Sequence, residues 1–106
     1  MKNKILLKAI DAIIEIKDFV EQYPNTKFKI GKTDDCLRRE QDYQSKGYSI
    51  FKQIADASTL DDINDLEKIL IKFSRIFYNE SLENERDGGG GNISKSNIYY
   101  IYLTSK

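Results

Sequence analysis

Apolar residues recur near the start of the chain at intervals of three and four: Leu6, Ile10, Ile13, Ile16 and Val20. That spacing predicts an amphipathic helix over residues 4–22 with these side chains on one face, widened by Ile5, Ala9, Ala12 and Phe19. Tyr23-Pro24-Asn25 stops it, because proline lacks a backbone donor and biases the preceding residue away from helix. Alternation then takes over. Phe28 and Ile30 share one face of a short strand over residues 26–32, with Lys27 and Lys29 on the other and Gly31 near its end. Thr33 or Asp34 can cap a second helix that runs to about Lys46, where Gly47 is a natural stop. Residues 48–55 read as a second strand. Ser58 or Thr59 then starts a long helix to about Phe77, with Ile63, Leu66, Ile69, Leu70, Phe73 and Phe77 at helical spacing. Residues 78–96 are predicted as a loop, acidic from Glu80 to Asp87 and then glycine from Gly88 to Gly91. Residues 98–103 are apolar on both faces, and this predicts a central strand. The pattern therefore predicts an α/β (α+β) fold. One domain over residues 1–106 holds a small, three-stranded, mainly antiparallel sheet flanked by helices.

Composition narrows the chemistry. A chain of 106 residues is enough for one domain. It has no histidine, and Cys36 is its single cysteine. Ser-His-Asp and Cys-His nucleophile systems are excluded, as are zinc sites built on cysteine and histidine. Intramolecular disulfides are excluded too. What remains is carboxylate, tyrosine, lysine, arginine and hydroxyl chemistry, with a hard metal ion as an optional partner. The charges distributed along the first helix exclude a transmembrane span, and no small-residue cleavage site for a secretory signal follows. No membrane partner is expected, and one free thiol without a signal points to an intracellular, cytoplasmic protein.

Lysine plus arginine and aspartate plus glutamate each total 17, so the formal net charge is zero. A neutral chain is a poor unaided binder of DNA, since phosphate binding rests on clustered cations. The balance is uneven along the sequence, however. Residues 27–52 carry seven bases and four acids, residues 53–67 five acids and no base, and residues 68–79 three bases and no acid. A local cationic surface beside a carboxylate is compatible with this distribution.

Two segments carry the candidate chemistry. The first is Lys29-Ile30-Gly31-Lys32-Thr33-Asp34-Asp35-Cys36-Leu37-Arg38-Arg39, continuing to Tyr43; the second is Leu66-Glu67-Lys68-Ile69-Leu70-Ile71-Lys72, ending at Asn79. Arg39 lies eight residues after Gly31, Tyr43 one helical turn beyond Arg39, and Asn79 twelve after Glu67. Over residues 27–79 this arrangement resembles the GIY-YIG nuclease superfamily. There, a Tyr-Ile-Gly strand leads into a helix that presents an arginine, and a later helix carries a metal-binding glutamate. The resemblance implies a small endonuclease hydrolysing DNA phosphodiesters with Mg2+ or Mn2+. Arg39 would hold phosphate oxygens, Glu67 the metal, and Tyr43 or Tyr99 would act as general base. Lys29, Gly31, Lys32, Asn79 and Asn92 would contact substrate. Taken singly, Arg39 and Glu67 read as solvated helix residues and Tyr43 as a core filler with its hydroxyl at the rim; it is their joint spacing that carries the resemblance.

Two departures bear on that expectation. Lys29 replaces the tyrosine of Tyr-Ile-Gly, and a helix stands where the family has its first, Gly-Ile-Tyr strand. Residues 97–102 look like that strand moved to the C-terminal side, which predicts pairing of Tyr99–Leu103 with Phe28–Gly31. Two rival expectations follow from the departures and the charge balance. One is a non-catalytic phage or mobile-element module on the same fold, binding nucleic acid, nucleotide or a host protein. The other is a structural domain whose N-terminal helix makes a homodimer.

Overall fold

Helix α1 (Asn3–Gln22) is followed by strand β1 (Phe28–Thr33), helix α2 (Cys36–Ser45), strand β2 (Ile50–Ala57), helix α3 (Leu60–Phe77) and strand β3 (Tyr99–Ser105). They are the six elements predicted, in the predicted order, with ends moved by one or two residues. The computed structural model describes residues 3–85, 88 and 95–106. Asp35, rather than Thr33 or Asp34, caps α2, its Oδ1 accepting from the Arg38 backbone N at 3.1 Å. Thr59 caps α3 in the same way, accepting from the Asp62 N at 3.1 Å.

The strands form one antiparallel sheet in the order β1-β3-β2. The last strand is thus the central one, as its two apolar faces predict. It also pairs directly with β1, with Phe28 opposite Ser105, Gly31 opposite Tyr102 and Thr33 opposite Tyr100. On its other side the ladder with β2 is interrupted by a bulge at Ile54, between Gln53 and Ala55.

Helices α1 and α3 cover one face of the sheet. Phe28, Ile30, Ile101 and Leu103 pack there against Ile63, Leu66, Leu70 and Ile71 of α3 and against Ile5, Ala9, Ala12, Ile16 and Phe19 of α1. The buried side of α1 is the predicted face rotated toward its widening residues: Ile5, Ala9, Ala12, Ile16 and Phe19 are buried, and Ile13 and Val20 pack partly against them. Leu6 and Ile10 are about half exposed, whereas Ala9 and Ala12 are sealed in the core. The helix is apolar around most of its circumference, so spacing alone does not select a side. Small alanines win because they admit closer approach of the backbone to its neighbours. Phe77, expected on the apolar face of α3, is exposed.

The segment after α3 is more ordered than a loop reading suggests. Phe28 N donates to Ser81 O and Glu83 N to Phe28 O, both at 2.8 Å. Asn84 then imitates a strand with its side chain: Oδ1 accepts from Ile30 N and Nδ2 donates to Ile30 O, both at 2.8 Å. Residues 81–84 thereby cover the outer edge of β1, which would otherwise present unpaired backbone groups. Among the described residues no helix is long and apolar enough to cross a membrane.

Candidate functional site

Alternation along β1 sends its side chains to two places. Lys32 follows Phe28 and Ile30 toward α3, while Lys29, Gly31 and Thr33 point to the face covered by α2. On that second face Gly31 has a specific task. A Cβ on Gly31 would lie 2.2 Å from the hydroxyl of Tyr102 on the neighbouring strand, so only glycine lets the ring lie across β1. The Tyr102 hydroxyl meets the Tyr43 hydroxyl of α2 at 3.2 Å. Phe51 stacks on Tyr102 with ring centroids 4.8 Å apart, and Tyr48 packs edge-on against Tyr43 at 4.9 Å.

Cations surround this aromatic group. Lys29 Nζ and Lys46 Nζ stand 6.0 and 5.4 Å from the Tyr43 ring centroid, and Lys106 Nζ stands 5.3 Å from that of Tyr48. Such contacts hold a cation near a ring face without neutralising it. Arg39 sits on α2 one turn before Tyr43. Its Nη1 reaches Asp42 Oδ2 only at 3.9 Å, and its buried Nε has no hydrogen-bond partner among the described residues. Arg38, beside it in sequence, is committed to Asp34 at 3.2 Å. Burial, followed by the hydrogen bond and charge of Tyr43, holds the Tyr102 phenol far above the ordinary tyrosine pKa; Arg39 opposes this and Glu67 adds to it. Tyr102 therefore stays a neutral hydroxyl, and its electrostatic environment includes both residues.

Glu67 occupies the other side of β1. Lys32 Nζ lies 3.7 Å from Glu67 Oε1 and donates to Asn64 Oδ1 at 2.5 Å, with the two charged side chains 8% and 10% exposed. Gly88, at φ +84°, closes over the carboxylate: a Cβ there would lie 3.1 Å from Glu67 Cγ and 3.3 Å from Oε1. A divalent ion requires several oxygen ligands, and Mg2+ keeps much of its water shell. At Glu67 the Lys32 ammonium already faces one carboxylate oxygen, and among the described residues no cluster of three or more Asp, Glu, His or Cys side chains forms around it. These residues do not fit a bound Mg2+ or Mn2+.

The other sequence-predicted residues are placed elsewhere. Tyr99 is buried on the α1/α3 side of the sheet with Ile101 and Leu103, its hydroxyl accepting from Ser96 N at 2.9 Å. It is on the opposite face from Tyr43 and Tyr102. Asn79 is exposed in the turn after α3, at least roughly 15 Å along the helix axis from Glu67. Asn92 lies outside the described residues, as do Gly89–Gly91. Arg39, Tyr43, Lys29 and Gly31 are brought together; Lys32 and Glu67 form a second, adjoining pair. Tyr102, Tyr48, Lys46 and Lys106 were not singled out by spacing, although the Gly31–Tyr102 register follows once β3 is paired with β1.

Comparison of the chain with protein-family models, with curated proteins and with solved structures finds no match.

Proposed function

We propose that this domain is a metal-independent binding module for the phosphate backbone of single-stranded nucleic acid, and that the α2 face of the sheet is its contact surface. The observation that carries this reading is the placement of Lys29 and Lys46 over the Tyr43 ring, with Arg39 one turn earlier on α2 and its Nε without a hydrogen-bond partner among the described residues. A guanidinium offers phosphate a planar fork of donors, and lysines add point charges. The half-buried Tyr48 ring supplies aromatic surface on which an unpaired base can stack, while Tyr43 is buried beneath the lysines. Lys32 supports the non-catalytic reading by satisfying Glu67 from within the protein.

The neutral net charge makes the binding weak and salt-sensitive. With about three cations engaged, log K should fall with log salt at a slope of about −2 for a single strand. Fluorescence anisotropy with a labelled oligonucleotide tests this. Arg39→Ala and Lys29→Ala should each weaken binding and reduce the slope by roughly one, while EDTA and Mg2+ should give the same curve. Binding indifferent to both substitutions would overturn the assignment. Plasmid cleavage in Mg2+ that is lost in both Arg39→Ala and Glu67→Gln would replace the module with the nuclease.

A further inference from the structure

The side of α1 that faces away from the core carries its own apolar stripe. Leu6, Ile10 and Ile14 follow one another at intervals of four, with Leu7 beside them, and they are 49%, 46%, 51% and 64% exposed. The core does not use them: Ile5, Ala9, Ala12, Ile16 and Phe19 are buried from the same helix. A stripe of four large aliphatic side chains presents on the order of 400 Å² of apolar surface, within the range of the largest patches found on monomers, which are often functional.

The geometry points to a second copy of this chain as the occupant, with the two α1 helices packed antiparallel across a two-fold axis at Ile10. Charge selects this arrangement. Lys8 and Glu15 are held by Asp56 and Lys52 of β2 and Lys17 pairs with Glu21, so Lys4 in the first half of α1 and Asp11 and Asp18 in the second are the charges that can face a partner. Antiparallel copies lay the basic half of one helix over the acidic half of the other, whereas parallel copies oppose like charges. In this register Leu6 of one copy meets Ile14 of the other and Ile10 meets itself, so one stripe is complementary to its own rotated image. Flanking side-chain stems on both copies bring the contact toward the roughly 1,200 Å² at which stable specific interfaces begin. The interface lies on the opposite side of the sheet from the α2 face, so the proposal stands independently of the nucleic-acid reading.

Sedimentation equilibrium over a concentration series tests it. The expected result is a concentration-dependent dimer for the wild type and a monomer for Ile10→Glu, whose side chain lies outside the core and whose circular dichroism should be unchanged. A wild-type monomer at all concentrations, or an Ile10→Glu dimer as stable as wild type, overturns the proposal. Orientation is read by disulfide trapping in a Cys36→Ser background. Ile10→Cys should cross-link readily and Leu6→Cys should not; equal cross-linking of both would overturn the antiparallel arrangement. A monomer that co-sediments with anionic phospholipid vesicles through the same stripe would replace the second copy with a lipid surface.

Discussion

Tyr102 links the two strands and the helix that build the cationic face: its ring crosses Gly31, its hydroxyl meets Tyr43, and Phe51 stacks behind it. Its protonation has a consequence for stability. A tyrosine in the unfolded chain ionises near pH 10, whereas burial raises the pKa of this one in the folded protein. Its contribution is therefore complete below about pH 10 and is lost as pH rises further, at about 1.4 kcal/mol per pH unit. Urea unfolding of the wild type should accordingly show a steeper alkaline decline than that of Tyr102→Phe. At neutral pH the variant should be less stable by about 1 kcal/mol, the worth of a typical hydrogen bond. Parallel pH profiles for the two proteins would show that Tyr102 titrates normally. The sequence exposes Gly31 and Arg39 through their spacing, but not Tyr102. Three tyrosines crowd the last strand, and only its register against β1 says which of them reaches the α2 face.

The edge of β1 illustrates how one side chain can stand in for a stretch of strand. Asn84 returns both hydrogen bonds of Ile30, while Arg75 Nη2 donates to the Asn84 backbone O at 3.0 Å. Asn84→Ala should leave the Ile30 amide and carbonyl without these partners and cost about 1–3 kcal/mol. Asn84→Asp keeps the acceptor and loses the donor, so it should fall between the two. Hydrogen exchange at Ile30 is the local readout, and faster exchange in the alanine variant is expected. Unchanged exchange would mean that solvent or another group takes over the bond. Element existence was legible throughout, because helical and alternating periods differ clearly between segments. The exact centre of the buried face of α1 was not, since Leu6 and Ile10 are as apolar as Ile5 and Ile16, and the rotation that exposes the first pair is set by fit against α3 and β2. The covering of β1 by residues 81–84 was hidden as well, because a polar segment carries no periodicity from which to read a partner.

At the scale of the whole molecule, the sheet is held together by its last strand. Every β1–β3 and β2–β3 contact joins residues far apart in sequence, and non-local pairing slows folding by the loop-closure entropy that precedes it. Leu103 is fully buried at the centre of that strand. Leu103→Ala should destabilise the domain by about 2–5 kcal/mol. Stopped-flow refolding should be slowed as well, because docking of β3 is the step that closes the sheet. A variant that loses stability only through faster unfolding would place β3 docking after the rate-limiting step. The resemblance over residues 27–79 leaves this strand out, and the site reading changed most where it enters: Tyr99 turned to the core and Tyr102 took the position beside Tyr43.

The central place of β3 also sets a timetable on the ribosome. Strands β1 and β2 are not neighbours, so neither has a sheet partner while only the first two strands have been made. At bacterial and eukaryotic elongation speeds the interval between completing β2 and completing β3 is roughly 2–10 s. Throughout it, the nascent chain offers two strand edges that share one missing partner. The sheet therefore closes only once β3 has cleared the exit tunnel, and its strands do not pair progressively as they are made.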